Sequence, residues 1–451
     1  MNATDGETGS WEVAAQAAYL SGRYVRFLET LQERPAETIS ARFRLHASKA
    51  LSRLGRPQEA LAQIKLVAEA PGSEVAALVQ AALQQSVIER LVGSGEGARA
   101  CIAFARRLVA SANDPEAESL VRLYEALQAW TERDFAATEA FARDAMSSLQ
   151  PETLALAGQF LGFVAASRGR YMEQIAMLES ALAELDTEPV HDLWIDASIL
   201  ENISGIIADL YLPAVARRMS DRAEALDWSK EMGVQRHHIM RSLAYFRSLG
   251  SDPFLPFEYL DRASELAPTA AWRLVSRLDR IFLVQEMSGD RIAQDFDLAA
   301  EIQRAEEIAS TIDWEEADGE ERFGLLLLAE ILAERRPNDA AVYLALSRKL
   351  QQTMSPILMG KSDERWAATE GFVEGIIAAA NGQLERAVEL IGKAFAFWND
   401  VGYSWRATRA AIKLYELTRD ERHIAWAFRE SRRYPYSWLS DAVSRAGHRR
   451  T

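Results

Sequence analysis

The residues that could hold a metal ion or act as a nucleophile are few and scattered. The chain has one cysteine, Cys101, and six histidines, with no His-Glu-x-x-His motif, so it lacks the usual spacings of zinc sites. His237 and His238 are adjacent, and on a helix they point about 100° apart; we interpret them as surface or groove residues. Cys101 lies on an apolar helix face and is predicted to be a buried thiol. We predict no catalytic residue, no metal and no cofactor.

Three other segments carry suggestive residue types without the required spacing. Gly360-Lys361-Ser362 ends like a phosphate-binding loop, but Ser355 stands where the first glycine is required. The glycines of segment 93–97 lack dinucleotide-binding spacing and are predicted to join two helices. The acidic run 313–321 lacks the glycine and glutamate positions of a calcium loop, so a solvated connection is predicted.

The C-terminal segment 419–451 combines basic and aromatic residues, with eight arginines against four acidic residues. Its basic and aromatic residues include Arg432, Arg433, Tyr434, Tyr436, Trp438, Arg449 and Arg450. Such a mixture can bind nucleic acid through charge and stacking. It also suits the polar cap that a helical repeat array needs at its end, and we favour the cap.

Composition excludes several classes of protein. Of 451 residues, 49% are hydrophobic, and the net charge is -15, so the chain has the apolar surface that disordered proteins lack. Its acidity argues against direct nucleic-acid binding, which needs clustered cations. The N-terminus lacks an apolar signal-peptide region, and the apolar run 325–332 is too short for a bilayer. We predict a cytoplasmic protein without membrane contact, and its preference for arginine over lysine suggests a bacterial source.

The sequence pattern is helical almost throughout. Ala, Leu, Glu, Arg and Gln dominate, and these are strong helix formers. Apolar residues recur at helical spacing, as at Leu384, Val388, Ile391 and Phe395. Turn residues follow at intervals that mostly lie in the range of helical repeats. These turn sites are Gly22, Gly55, Gly95, Arg133-Asp134, Gly169, Leu212-Pro213, Gly250-Ser251, Gly289, Pro337-Asn338, Gly382 and Arg419-Asp420.

These residues resemble tetratricopeptide repeats, whose unit is two antiparallel helices joined by a glycine turn, with small residues where the helices touch. The best copy has Gly375, Gly382, Ala387 and Ala394; others have Gly162, Gly169, Tyr171, Leu178 and Ala181, or Ala244, Leu260, Ala263 and Pro268. The resemblance implies an all-α superhelical solenoid of about 10–12 antiparallel hairpins. We place it at residues 11–430, after a disordered polar tail (1–10) and before a basic cap and tail (431–451).

The longer repeats and the segment before the C-terminus also resemble the sensor arms of large bacterial transcription regulators of the maltose-regulator and LuxR types. That resemblance implies a ligand-sensing role. The chain ends at Thr451, without the helix-turn-helix domain of those regulators. If the sensor interpretation holds, a separate protein or a longer chain would supply DNA binding.

In tetratricopeptide proteins the first helix of each hairpin lines a concave binding face. Matching positions in this sequence predict that Gln85, Gln159, Phe163, His238, Arg241 and Tyr245 bind a peptide or ligand, with Glu89, Asp279 and Glu286 as further members of that face. The planar guanidinium of Arg241, together with the amides of Gln85 and Gln159, suits a carboxylate or backbone amides.

Three functions remain open from the sequence. The first is a non-catalytic regulatory module that binds a protein or peptide segment on the concave face. The second is a sensor arm that binds a small-molecule effector and acts with a separate DNA-binding partner. The third, an enzyme built on a helical toroid, requires converging carboxylates or histidines, and no such cluster is recognisable; the first is our prediction.

Overall fold

The computed structural model describes residues 5–71, 74–112, 114–188, 190–210, 212–252, 254–287, 296–317, 321–353, 363–435 and 437–448. Across these residues the regular structure is α-helix, with short 3-10 helices at Ala36–Thr38, Val67–Glu69 and Lys230–Met232 and no strand. The α-helices are α1 (Asp5–Leu20), α2 (Tyr24–Gln32), α3 (Ala41–Arg53), α4 (Pro57–Lys65), α5 (Val75–Leu91), α6 (Gly95–Ala112), α7 (Pro115–Thr131), α8 (Phe135–Ala145), α9 (Pro151–Ser167), α10 (Tyr171–Leu185), α11 (Leu193–Leu210), α12 (Pro213–Ala225), α13 (Gly233–Ser248), α14 (Leu255–Leu266), α15 (Ala270–Glu286), α16 (Leu298–Thr311), α17 (Phe323–Leu332), α18 (Pro337–Thr353), α19 (Asp363–Ala380), α20 (Leu384–Asp400), α21 (Ser404–Thr418), α22 (Glu421–Ser431) and α23 (Trp438–His448).

Consecutive helices pair as hairpins: α1 with α2, α3 with α4, α5 with α6, α7 with α8, α13 with α14, α15 with α16, α17 with α18, α19 with α20 and α21 with α22. Helix α9 also contacts α10, at Gly158 and Gly162. The spacing of apolar residues explains why the helices pair. In α20, for example, Ala387, Ile391, Ala394 and Trp398 are buried, and residues three or four apart lie on one face. The predicted all-α fold of helix hairpins is therefore confirmed.

The turns inside the hairpins use residues in the left-handed region. Gly22, Gly55, Gly93, Gly169 and Gly382 have φ between 71° and 83°, where a residue without Cβ meets no steric penalty. The turn after α5 uses Gly93 rather than the predicted Gly95, because Gly95 is already the first residue of α6.

Among the described residues, two hairpins turn through a left-handed residue that is not glycine. Arg133 and Arg419 adopt φ of 60° and 59°, and the aspartate that follows each one caps the next helix. Asp134 accepts a hydrogen bond from the backbone of α8, and Asp420 accepts one from that of α22. An N-terminal aspartate satisfies a backbone N–H that the helix leaves unpaired. The predicted turns at these two places are therefore confirmed, while Gly289 and segment 360–362 lie outside the described residues.

Small residues allow the two helices of a hairpin to approach closely. A Cβ at Gly375 of α19 would lie 2.5 Å from Cγ1 of Ile391 in α20, and one at Gly162 of α9 would lie 3.4 Å from Cγ of Leu178 in α10. Ile391 is fully buried, so it has no free space into which it can move, whereas the distance at Gly162 is an ordinary van der Waals contact. The small residues of the repeat pattern thus lie where the two helices of a hairpin touch, as the pattern predicted.

The chain divides into two compact units. The first comprises Met1–Ser167, Met172–Ile199 and Leu226–Met232, and the second comprises Arg168–Tyr171, Leu200–Ala225 and Gly233–Thr451. The predicted boundaries differ from this division, since they placed 11–430 in one repeat domain. Helix α1 begins at Asp5, inside the segment predicted as a tail, and α23 occupies most of the segment predicted as a cap.

Each unit has its own aromatic core. Tyr19, Tyr24 and Phe27 are almost fully buried in the first unit. The second unit buries Trp398, Phe282, Phe372 and Trp438 to a similar extent. No described helix combines the length and the apolar character that crossing a bilayer requires.

We expect Gly375→Ala to lower the free energy of unfolding by about 1–3 kcal/mol, because the added methyl group overpacks a buried contact. Gly392→Ala is the matched control, since it also replaces a glycine inside a helix but nothing lies within 4 Å of the new Cβ. The control should gain about 0.5–1 kcal/mol from the better helix former. Urea unfolding followed by circular dichroism measures both, and equal shifts of the same sign would contradict the close-contact explanation.

Candidate functional site

The six residues predicted to line the binding face all lie on odd-numbered helices. They are Gln85 on α5, Gln159 and Phe163 on α9, and His238, Arg241 and Tyr245 on α13. The first three belong to the first unit and the last three to the second. Their role in binding stays a prediction.

In the first unit, one predicted residue is buried and two are half-buried. Gln159 is buried, and its side-chain amide donates a hydrogen bond to Oγ of Ser198 at 3.1 Å. The amide of Gln85 lies 3.5 Å from a carboxylate one turn further along α5. The ring of Phe163 packs against Trp130 with 5.3 Å between centroids. Gln159 thus has an internal partner, while Gln85 and Phe163 keep part of their surface free.

In the second unit, the three predicted residues meet carboxylates of the protein itself. Nε of Arg241 donates to one oxygen of Asp279 at 2.5 Å, and the hydroxyl of Tyr245 donates to the other at 2.6 Å. Burial, and then the carboxylate of Asp279, raise the pKa of Tyr245 well above its usual value. His238 pairs with Glu201. Arg241, predicted to hold a ligand carboxylate, therefore holds that of Asp279.

The other residues singled out for chemistry occupy structural positions. His237 is fully buried, with Nδ1 2.9 Å from the carbonyl oxygen of Ala263, so the prediction of a surface position is wrong for this residue. Cys101 is half-buried rather than buried, and burial raises its thiol pKa. Among the described residues, no three His, Cys, Asp or Glu side chains are arranged to hold a metal ion.

A buried ion pair connects distant parts of the first unit. The guanidinium of Arg53, at the end of α3, lies 2.7 Å from Oδ2 of Asp192, just before α11. The faces of Tyr19, Tyr24 and Trp194 lie 4.6–5.6 Å from the guanidinium carbon. Burial acts to raise the pKa of Asp192, but Arg53 outweighs it and holds that pKa below its usual value. The pair therefore stays charged and joins residues 139 positions apart.

A histidine lies beside this ion pair. The imidazole of His46 stacks on the ring of Tyr19, with 4.1 Å between centroids and 1° between planes. Its Nδ1 is buried and has no hydrogen-bond partner. Burial, assisted by the nearby cations Lys49 and Arg42, lowers the pKa of His46 to about 3. The ring is therefore neutral in the folded protein near neutral pH.

The second unit contains a cavity of about 250 Å³. Its walls come from α15, from α17 and the turn after it, and from α19, α21 and α23. The lining residues are Phe282, Gln285, Glu286, Glu330, Ile331, Glu334, Arg335, Phe372, Ile376, Arg409, Ile412, Lys413, Glu416, Trp438, Ala442, Arg445 and Ala446. The cavity thus lies on the side of this unit that its odd-numbered helices face.

One part of the cavity wall is a buried cation between two carboxylates. Arg409 on α21 donates to Glu330 at 2.6 Å and to Glu286 at 2.7 Å. Its guanidinium carbon lies 4.6 Å from the ring centroid of Phe282 and 5.3 Å from that of Phe372. Burial acts to lower the pKa of Arg409, but the two glutamates raise it above its usual value. The guanidinium is therefore charged, with its two terminal nitrogens bound to carboxylates and aromatic rings beside it.

A second cation has a similar arrangement. Lys413, one turn further along α21, pairs with Glu334 and lies 3.0 Å from Glu416. Burial acts to lower its pKa, but the two carboxylates raise it. Arg335 and Arg445 are the remaining charged residues of the lining; both are exposed. Neither makes an ion pair or side-chain hydrogen bond within the described chain.

Sequence reasoning placed one lining residue, Glu286, on the predicted face but did not identify the cavity, although a second signal pointed to it. Glu330 interrupts the apolar run Leu325–Leu332, and the side chain is only 2% exposed. A buried carboxylate needs a cation, because an unpaired charge is costly to remove from water. The sequence therefore indicated a missing partner for Glu330, but it could not show that the partner is Arg409, 79 residues away.

We expect acid to destabilise the protein partly through His46. Its folded-state pKa of about 3 lies below the unfolded value of about 6.5, so between these pH values the unfolded chain binds the proton more strongly. Stability should fall as pH decreases through this window, by up to roughly 1.4 kcal/mol per pH unit. His46→Phe keeps the stacked ring and should reduce this slope in urea unfolding between about pH 7 and about pH 4. His448→Phe, at an exposed position, is the control, and equal slopes in all three proteins would refute this role.

We expect Arg409→Met to lower the free energy of unfolding by about 3–5 kcal/mol, because it leaves the buried carboxylate of Glu330 without a cation. Adding Glu330→Gln should recover part of the loss, since it removes that charge. Arg429→Met is the control, because Arg429 is exposed and unpaired within the described chain; its change should stay within about 0.5 kcal/mol. Urea unfolding of the full chain measures all three, and a loss no larger than the control would exclude a stabilising role for Arg409.

Comparison with known proteins identifies the fold. No protein-family model matches the sequence, and no curated protein matches it. Among solved structures, a Rap protein complexed with competence and sporulation factor matches with a TM-score of 0.52 at 12% identity, over 83% of this chain and 100% of that one. The apo form of RapI (TM-score 0.40, 12% identity, 91% and 99% covered) and a human IFIT1 dimer with PPP-AAAA (0.43, 13%, 95% and 93%) also match. The fold is a tetratricopeptide-like helical repeat; similarity to the regulator arms stays a prediction.

Proposed function

We propose that this protein is a non-catalytic, regulatory interaction module that binds a peptide segment of a partner protein in the cavity of its second unit. The observation that carries the proposal is the composition of the cavity wall. Side chains from α15, α17, α19, α21 and α23 converge on one space. Concave sites that place polar groups around one space are typical of ligand binding, and eight of the 17 residues that line this cavity are charged.

The size of the cavity favours part of a peptide over an enclosed effector. Its volume of about 250 Å³ lies below the range of about 300–1,000 Å³ that is usual for drug-sized ligands. One or two side chains of a longer segment need less enclosed space, and the remainder can lie along neighbouring helices. A small-molecule effector, the alternative from the sequence, therefore receives less support.

The wall offers both kinds of contact that peptide anchors use. Ile412 and Ala442, both half-buried, provide apolar surface in the lining, while Phe282, Phe372 and Trp438 are almost fully buried there. Charged groups surround them. Buried anchors in such pockets contribute most of the affinity in many interfaces. The ion pairs of Arg409 and Lys413 hold part of this wall in place before a ligand arrives. The side chains of the wall therefore lose less conformational entropy when the ligand binds.

The fold supports the proposal in a general way. A protein with the same fold was solved in complex with competence and sporulation factor, so this architecture is compatible with holding a partner. Gln85 and Phe163, half-buried in the first unit, remain candidates for a binding surface of that unit.

The test is to fill the cavity. We expect a peptide-display selection against the full chain to enrich sequences that bind the wild-type protein and lose most of their affinity for Ala442→Trp. Ala442 is half-buried and lines the cavity, so the larger side chain would occupy the space. Titration calorimetry with the selected peptides measures the loss.

Ala425→Trp is the matched control, because Ala425 is exposed on α22 and does not line the cavity. It should bind the selected peptides as the wild type does. Peptides that bind Ala442→Trp with unchanged affinity would place the binding surface elsewhere, and a selection that enriches no peptide would count against the proposed function itself.

A further inference from the structure

The charged residues of the cavity divide into paired and unpaired groups. Six of the eight form two sets, each with one cation between two glutamates: Arg409 with Glu286 and Glu330, and Lys413 with Glu334 and Glu416. The other two are Arg335 and Arg445, which are unpaired within the described chain. Each set carries one surplus negative charge, so these sets cannot accept an additional anion favourably. The charged groups of the cavity that remain available to a ligand are therefore cations.

The two free arginines lie on different elements. Arg335 is in the turn after α17, and Arg445 is in the last turn of α23. Helix α23 is held by Val443 and Ala446, which pack with residues of α21 and α22. Nε1 of Trp438, at its other end, lies 3.4 Å from Oγ of Ser248. A ligand that contacts both arginines would therefore connect α23 with the turn after α17.

We infer that an oxyanion of the ligand binds between Arg335 and Arg445 and thereby fastens α23 to the turn after α17. This inference rests on the proposed function, since it names the chemistry of the segment that the cavity takes. Guanidinium groups recognise carboxylate and phosphate through paired, charge-assisted hydrogen bonds. The oxyanion is the carboxylate of an acidic side chain or the phosphate of a phosphorylated one.

The chemistry of the other walls limits the ligand to a single anionic group at this position. Glu286, Glu330, Glu334 and Glu416 would repel a second anion deeper in the cavity, because like charges in a partly desolvated site raise the free energy of the complex. The partner segment is thus an isolated acidic or phosphorylated residue in a mainly uncharged context.

The experiment measures binding and amide exchange in α23 on the full chain. The probes are a blocked pentapeptide of alanines with a central glutamate, the same peptide with phosphoserine or glutamine at the centre, and inorganic phosphate, with chloride at equal ionic strength as reference. We expect the glutamate or the phosphoserine peptide to bind more tightly than the glutamine peptide and to slow exchange across residues 438–448. Whichever of the two binds better identifies the oxyanion.

Variants connect the effect with the two arginines. Arg335→Gln and Arg445→Gln should each weaken binding of the preferred peptide by at least about tenfold and abolish the protection of α23. Arg445→Lys, which keeps the charge but not the paired donors, should retain part of the affinity. Arg429→Gln, at an exposed, unpaired position outside the cavity, should behave as the wild type.

The outcomes separate this inference from the proposed function. If the glutamine peptide binds as tightly as the other two, and Ala442→Trp abolishes binding, the cavity binds peptides but the oxyanion site is wrong. If no peptide binds, but phosphate protects α23 in the wild type and not in Arg335→Gln or Arg445→Gln, the oxyanion site stands and the peptide proposal fails. Unchanged binding and exchange in both glutamine variants would overturn the inference.

Discussion

The structure depends on how closely two antiparallel helices can approach. In the hairpin of α19 and α20, the backbone at Gly375 lies so near Ile391 that a single methyl group would collide with it. Without that methyl group, the backbone at Gly375 and the side chain of Ile391 are in close van der Waals contact, which leaves no room for water between the helices. A left-handed residue between the helices, such as Gly382, reverses the chain within a few positions. Repetition of this hairpin gives every second helix an equivalent position relative to its neighbours.

That alternation explains how distant residues come to line one cavity. Phe282 on α15 and Arg445 on α23 are far apart in sequence, yet both line the cavity of the second unit. In a helical repeat each hairpin contacts the next one, so within the second unit the inward positions of successive first helices form a continuous surface. The surface needs no special loop, because its shape follows from the stacking of the hairpins.

Each unit also contains a buried arginine that is balanced in the same physical way. Arg53 in the first unit meets one carboxylate and Arg409 in the second meets two, and aromatic rings lie beside both guanidinium groups. A guanidinium is weakly hydrated and tolerates such an environment better than an ammonium does. Buried ion pairs add little net stability compared with an apolar core, but a buried charge whose partner is missing is costly. We interpret both clusters as interactions that select which helices meet, since apolar contacts alone are less specific.

The sequence by itself determined the fold class, because helix periodicity, glycine turns and small contact residues are local properties that a linear pattern records. Gly22, Gly169 and Gly382 marked hairpin turns, and the residues chosen for the binding face all lie on first helices. Only the tertiary structure decided which side chains are free to bind. Arg241 appeared available but holds Asp279, whereas Arg335 and Arg445, which no motif indicated, have no partner among the residues that the structure describes. Pairing of charges depends on distances across helices that sequence spacing does not encode, so the chemistry of the cavity emerges only when the repeats stack.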